Sequence, residues 1–375
     1  IDLSLMKVIQ VDPAARTVRA AGGVLWGELD RATQQVGLAT TGGTISQTGI
    51  AGVTLGSGLG HLMRKFGLAV DNLRAVDLVT ADGERRRGDA VSEPELYWGL
   101  RGGGGNFGIA TTLEYDLHPV GPLVLGGPIF WPLAQAPEVL RFIRDFAPTA
   151  PDELGLSMSA LLAPPLPILP TEQYGQPVLA IIPVWAGDPA TGERAIAPLR
   201  KIGTPIAELV RLTPYVALQS MLDGGAPHGR HYYWKSHRVA ELADEVIATI
   251  VDRVETLTSP FSQVAILTVG GAVSRIDPGA TALGKREIGF NINMIAAWPP
   301  PGLDSERHLA WVREGWERVR RFSAGAYPNF LSDEGDAGIE AAYGERRQRL
   351  TALKDRFDPE NVFRLNANIR PSQRW

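Results

Sequence analysis

Chemically useful residues are densest in Thr41–Gly60, which reads TGGTISQTGIAGVTLGSGLG. Glycine here strips Cβ atoms from a long run of backbone, so N–H groups at Gly43, Gly49, Gly52, Gly58 and Gly60 can approach a phosphate or a flat ring. Thr44, Ser46, Gln47 and Thr48 are interleaved and add hydroxyl and amide groups for ring edges or ribityl oxygens. A glycine-rich surface loop is the plain alternative, but roughly two to four glycines suffice for turns, and a longer run points to close approach of a ligand. A second cluster, Arg101–Gly108 (RGGGGNFG), offers either a flexible loop or backbone packed around the nucleotide end of a cofactor. The two clusters are therefore expected to converge on one elongated groove.

Other patterns are weaker. Gly56-Ser57-Gly58-Leu59-Gly60 approaches a dinucleotide fingerprint, with Asp77 downstream, but its third glycine comes one position early. The residues after it, Leu73–Gly88, form a hairpin pattern in place of a βαβ unit. No Walker lysine follows either cluster, and Leu55 stands where a nucleophile elbow needs glycine. His228 and His231 lack an HExxH context, so they read as a turn near a substrate cleft and not as a metal site. Trp298–Pro301 reads as a turn at a domain edge. Near the end, Tyr327-Pro328-Asn329-Phe330 sits in a Gly/Ser-flanked strand pattern, and Asn366 and Asn368 form a pair. A phenol with an ordinary pKa near 10 serves as a base only when its neighbours activate it; otherwise Tyr327 is a half-buried aromatic and the asparagines are a turn.

These segments need a scaffold, and the sequence predicts an α+β one. Lys7–Val11 and Thr17–Ala20 form a hairpin across Asp12–Ala15, and Leu25–Val36 has helical apolar spacing. His61–Phe66 is a helical turn, Leu73–Thr80 pairs with Glu84–Gly88 across Asp82-Gly83, Glu93–Arg101 is a helix and Ile109–Leu117 a strand. Beyond Pro119, strands Val178–Val184, Val264–Val269 and Ile288–Ala297 are interspersed with helices Ala136–Phe146, Val239–Leu257 and Ser305–Phe322. That pattern predicts an antiparallel sheet in a second domain in preference to a doubly wound parallel one. Gly338–Arg356 is predicted as one amphipathic helix, stopped by Asp358-Pro359.

Composition bounds the function. The 375 residues, 44% of them apolar, are enough for two domains with real cores. The net charge of −4, with acids and bases interleaved, argues against a nucleic-acid or polybasic membrane partner. With no cysteine, disulfide and thiol chemistry are excluded, which fits a cytoplasmic protein. No apolar run reaches the roughly 18–20 residues of a membrane span.

Three stretches, taken in order, resemble the berberine-bridge-enzyme-like branch of the vanillyl-alcohol oxidase and p-cresol methylhydroxylase superfamily of FAD-linked oxidases. They are TGGTISQTGIAGVTLGSGLGHLMRKFGLAVDNL, ELYWGLRGGGGNFGIATTLEYDLHPV, and YPNFLSDEG followed by YGERRQRLTALKDRFDPENVFRLNANIRP. The resemblance runs from Ile1 to Arg370. It implies a two-domain PCMH-type fold, with residues 1–120 in the FAD domain, 121–335 an antiparallel-sheet substrate domain, and 336–375 returning to complete the FAD domain. It implies FAD as cofactor, held by Gly43, Thr44, Ser46, Gln47, Thr48, Gly49, Gly52, Gly58, Gly60, Asn72, Gly108, Ile109, Asn366 and Asn368. Tyr327 matches the tyrosine that deprotonates substrate, with Asn329 beside it, and Thr48 falls at a position associated with oxygen access.

The chain also departs from the family pattern. Nothing matches the upstream phosphate loop whose histidine bonds covalently to flavin, so an N-terminally incomplete, weakly flavin-binding chain is expected. Ile45 stands near the place of a second covalent cysteine, and Val53 replaces a histidine that often follows the paired glycines. If a histidine of this chain attaches the flavin, His61 is nearest. The implied activity is oxidation of a small-molecule C–H/O–H or C–H/N–H donor, with dioxygen as acceptor and hydrogen peroxide as product. The alternatives are a flavin dehydrogenase with another acceptor and a non-catalytic homologue.

Overall fold

The computed structural model describes residues 1–302, 304–365 and 367–372. Five strands build a first sheet: β1 (Ile9–Asp12), β2 (Thr17–Ala21), β3 (Leu73–Val79), β4 (Arg85–Asp89) and β5 (Ile109–Asp116), in the order β1-β2-β5-β3-β4. Every pairing is antiparallel, including β3 with β4, which rules out a dinucleotide-type βαβ unit at Leu73–Gly88. Helices α1 (Trp26–Gln34), α2 (Ile50–Leu55) and α3 (Pro94–Leu100) accompany this sheet. Trp26, Leu29, Ile50, Leu96, Leu113 and Tyr115 are buried together in its core. Burying each large apolar side chain contributes roughly 1.5–3 kcal/mol.

The second sheet has ten strands, again antiparallel throughout. Its centre runs through β6 (Leu154–Leu162), β7 (His231–Val239), β8 (Gln263–Val269) and β9 (Gly289–Trp298), in the order β6-β8-β9-β7. Helices α4 (Ala136–Phe146), α5 (Asp244–Glu255) and α6 (Ser305–Val319) cover one face. Val139, Leu140 and Ile143 of α4, Val246, Ile250 and Val254 of α5, and Trp311 and Val312 of α6 recur at helical spacing and meet Leu156, Met158, Ile266, Ile292 and Met294 of the sheet. Strand alternation then turns Ser157, Leu267, Asn291, Asn293 and Ser236 to the opposite face.

Two sequence expectations are corrected. The segment expected as helix Val239–Leu257 starts at Asp244, because Val239 ends β7. That strand is buried on both faces over most of its length, so it shows no period-two alternation. The tail is two helices, α7 (Gly335–Tyr343) and α8 (Arg347–Phe357), because Gly344 takes φ of +49°, which breaks the helix between them. Both pack on the first sheet's core through Ile339, Tyr343, Leu350 and Leu353. Lys354 and Asp358 form a fully buried ion pair at 2.6 Å. Lys354 Nζ also donates to the carbonyls of Asn106 and Phe363.

Buried polar ties join the two sheets' units. Arg286 pairs with Asp71 in a bidentate contact at 2.7 and 2.9 Å, both side chains being almost fully buried. Arg64 donates to the Ala150 carbonyl, and Trp98 Nε1 to that of Gly279. No described helix is long and apolar enough to cross a membrane.

Candidate active site

The two glycine clusters meet. Leu55 ends α2, and its carbonyl, unpaired within the helix, accepts hydrogen bonds from Gly102 N at 3.0 Å and Gly104 N at 2.8 Å. Asn106, fully buried, donates from Nδ2 to the carbonyls of Gly103 and Ala367, and its Oδ1 accepts from Ile369 N. One carboxamide thus fastens the second glycine cluster to the returning tail.

Tyr327 reaches into the first cluster. Its segment differs from the expected strand: the strand here stops at Gly325, and Tyr327 precedes a 3₁₀ turn at Pro328–Phe330. The phenol oxygen accepts from Gly58 N at 2.8 Å, Leu59 N at 3.0 Å and Asn329 Nδ2 at 3.2 Å. Asn329 Nδ2 also donates to the Val53 carbonyl, and its side chain lies over Gly56, where a Cβ would fall 1.8 Å from Oδ1. Burial raises the Tyr327 pKa, while the Leu59, Asn329 and Gly58 donors oppose that rise by favouring a phenolate. Just before these two amides, Ser57, between Gly56 and Gly58, is held at φ of +114°, a strained setting for a residue with a side chain.

The glycines divide by what surrounds them. A Cβ at Gly42 would meet the Trp26 ring, one at Gly58 would meet Ala69, and one at Gly60 would meet the Gly42 carbonyl. Gly108 is likewise packed against the Val79 backbone, next to half-buried Ile109 at the start of β5. These positions serve the protein's own packing. Gly49 and Gly52 have nothing within 4 Å of a built Cβ and lie exposed beside Gln47, with Thr44, Ile45, Thr48 and Val53 half-buried along the same edge. A flat ring or a phosphate can meet bare backbone on this edge, so the residues present fit a flavin dinucleotide.

Other expected positions are already engaged. The Ser46 amide and hydroxyl both donate to Asp223, at 2.8 and 2.5 Å, and Gln219 Nε2 donates to the Gly43 carbonyl. The second unit therefore clamps the glycine stretch from one side. Asn72 is buried, donating to the Phe66 and Leu68 carbonyls and meeting His118 Nε2 at 2.5 Å. Thr48 Oγ1 donates to the Ile45 carbonyl. Asn368 Oδ1 is buried without a partner among the described residues, beside a cleft of about 130 Å³ shared with Leu331, Glu334, Asp336 and Arg370. Asn366 lies outside the described residues. His231 stacks on Trp298, and the described residues contain no acid–histidine cluster able to hold a metal ion.

The sequence reading missed what faces the glycine stretch from the second sheet. Gly155 of β6 sits against the His61 carbonyl, and Gly60, His61, Ser157, Leu267 and Thr268 line one small shared cavity. His61 is buried, its Nε2 has no partner among the described residues, and burial depresses its pKa to about 4, so the imidazole is neutral. Across the same sheet face, the Ser157 and Ser236 hydroxyls and the Oδ1 atoms of Asn291 and Asn293 are also buried without partners. The available signal was the pair of asparagines two apart inside the apolar run Gly289–Trp298, since a strand places them on one face.

Comparison with known proteins agrees with this geometry. Residues 1–89 match the model of the FAD binding domain, and residues 326–370 match that of the berberine and berberine-like family. An FAD-linked oxidoreductase from Dictyostelium discoideum is 32% identical over 377 residues, spanning 100% of this chain and 79% of the relative. The crystal structure of 6-hydroxy-D-nicotine oxidase from Arthrobacter nicotinovorans superposes with a TM-score of 0.85 at 26% identity, covering 99% of this chain and 82% of that one. A berberine bridge enzyme variant, a reticuline dehydrogenase, shares the fold with a TM-score of 0.85 at 20% identity, covering 100% and 82% of the two chains.

Proposed function

Because this chain belongs to the berberine-bridge-like FAD-linked oxidoreductases, with FAD as its cofactor, we propose that it is an oxidase of a small-molecule donor acting where Tyr327 meets the glycine stretch. Bound FAD would supply the redox chemistry, a two-electron oxidation of the donor's C–H bond, with dioxygen and two protons ending as hydrogen peroxide. The chain's own residues bind, orient and move the proton. The open edge at Gly49 and Gly52, with Thr44, Gln47 and Thr48, holds the cofactor, and Ser46 and Gly43 are fixed from behind by Asp223 and Gln219. Asn368 approaches from the tail. The site so formed joins residues 1–120 and 336–375 on one side to residues 121–335 on the other.

The observation that carries this reading is the phenol oxygen of Tyr327 under three N–H donors. Such donors stabilise negative charge on that oxygen, as a base accepting a substrate proton requires. Asn329 positions the ring and supplies the third donor. Because burial raises the Tyr327 pKa, the competent phenolate grows with pH, and the rate of substrate oxidation is expected to climb through the alkaline range. The test is anaerobic mixing of FAD-loaded protein with alcohols and amines, followed by admission of oxygen. Bleaching of the flavin and then peroxide formation matching oxygen uptake supports an oxidase. Bleaching without peroxide identifies a dehydrogenase, and a rate already flat by neutral pH removes Tyr327 as the base.

A further inference from the structure

The reading above leaves the substrate unnamed between alcohols and amines, and the second sheet decides between them. Strand register sets two rows across the face turned away from the helices: Ser157, Leu267, Asn291 and Arg238, then Ser159, Ala265, Asn293 and Ser236. Trp234, two residues before Ser236, stands on the same face, and its Nε1 is buried without a partner among the described residues. Ser157, Ser236, Asn291 and Asn293 are each more than nine-tenths buried, yet each keeps a polar atom with no partner among the described residues. Four such atoms on one sheet face call for partners, because each unsatisfied group costs free energy.

The chemistry of the missing partner follows from the lining. A carboxamide offers both a donor edge and an acceptor edge, and a hydroxyl offers both functions at one atom. Such groups match ligand hydroxyls, which are likewise donor and acceptor. Leu267 and Ala265 between them, with the Trp234 ring, give the apolar contacts that the C–H faces of a sugar or polyol need. No carboxylate stands on these rows. The charged side chains at their edge are Arg238, which donates to the Lys285 and Glu287 carbonyls and pairs at 3.5 Å with the exposed Glu287 carboxylate, and Arg64 across the cavity, which donates to the Ala150 carbonyl. Both arginines are cationic, and the one carboxylate at this edge, Glu287, is exposed and already paired with Arg238, so an ammonium ion on the rows would be desolvated without a counter-charge of its own.

We propose that the amide and hydroxyl rows of Asn291, Asn293, Ser157 and Ser236 recognise an uncharged, multiply hydroxylated substrate and reject protonated amines. This rests on the flavin-oxidoreductase reading, and the following experiment separates the two. FAD-loaded protein is titrated calorimetrically with D-glucose, cellobiose, mannitol and benzylamine, and the same four compounds are tried for flavin bleaching under argon. At least one neutral polyol is expected to bind and bleach, with benzylamine inert. Asn293→Leu is expected to raise KM about tenfold, the worth of one or two hydrogen bonds, with kcat within about twofold. Its melting midpoint is expected to hold or rise, because it replaces an unsatisfied buried amide with an apolar group of similar size. Asn293→Asp supplies the missing counter-charge and is expected to gain benzylamine binding.

Polyol binding without bleaching upholds the recognition and overturns the redox reading. Benzylamine oxidation by the unaltered protein upholds the redox reading and overturns the recognition. The recognition also fails if none of the three neutral compounds binds at 10 mM (about the weakest affinity such a contact set gives), or if Asn293→Leu leaves KM unchanged.

Discussion

Replacing Tyr327 with phenylalanine removes one oxygen atom and strands its partners. Gly58 N and Leu59 N have no other acceptor among the described residues, whereas Asn329 Nδ2 keeps the Val53 carbonyl. Two buried backbone donors are thus left unpaired, at about 1–3 kcal/mol each, so the variant is expected to lose about 2–6 kcal/mol. The hydroxyl leaves too little space for a water to take its place. For 375 residues, an unfolding entropy of about 2.1 cal/mol/K per residue gives about 0.8 kcal/mol/K, and the loss corresponds to a midpoint about 3–8 °C lower. Calorimetry of FAD-free protein measures this without reference to activity. Anaerobic flavin reduction, measured separately on the loaded variant, is expected to slow by about 10²–10⁴, the usual range for loss of a general base. A midpoint within about 1 °C of the parent would show that the two amides find other partners and that the phenol does not organise this turn. A preserved midpoint with slowed reduction would keep the chemical role while refuting the structural one.

Three further outcomes are expected. Arg286→Met abandons the buried Asp71 carboxylate and should cost about 3–5 kcal/mol in urea titration, partly recovered in Arg286→Met/Asp71→Leu; a loss below 1 kcal/mol would mean the pair is not desolvated. Asp30, in α1, is buried, and that burial outweighs the opposing charge of Arg31 and pushes its carboxyl up to about 8. The folded chain therefore keeps a proton that the unfolded chain, with an ordinary value of 3.8, releases, so stability falls as pH rises through the window from about 4 to about 8. Asp30→Asn should flatten that fall when urea midpoints at pH 5 and pH 9 are compared, and an unchanged gap would assign the slope elsewhere. On the oxidase reading, Thr48→Leu crowds the half-buried edge beside Gly49 and should slow reoxidation by oxygen about tenfold, a barrier change of about 1.4 kcal/mol, with reduction by substrate spared. Equal slowing of both half-reactions in stopped-flow traces would count against oxygen access at this position.

The sequence showed the site's material more clearly than its arrangement. Glycine density marked Thr41–Gly60 and Arg101–Gly108, and the two stretches meet at the Leu55 carbonyl. It could not tell Gly49 and Gly52, which stand open, from Gly42, Gly58 and Gly60, which are filled by neighbours, because that depends on what the rest of the chain brings alongside. Antiparallel pairing and most helices were legible from periodicity. Strand β7 was not, since burial on both faces erases alternation, and the missing strand let the following helix be drawn too early. The Asn291–Asn293 spacing was in view but was absorbed into an apolar strand. An asparagine's meaning depends on whether anything answers it, and partners distant in sequence decide that.

The tail's attachment has a consequence for how the molecule is made. Ile339, Tyr343, Leu350, Leu353 and Phe357 belong to the same core as Val18, Leu29, Leu96 and Leu113, and buried Lys354 reaches back to the Asn106 carbonyl. Emerging from a ribosome, the first sheet must wait for the whole second unit to be synthesised before its last layer arrives. At about 5–20 residues per second, the 218 residues between Asp116 and Gly335 take roughly 10–45 s. During that interval the apolar side of α3 and the glycine clusters have no cover, whereas the second unit's core, contiguous in sequence, can close on its own schedule. Contacts of such long sequence separation also slow refolding from denaturant. Recovery from dilution should thus show the second unit first and the first unit, closed by residues 335–369, last.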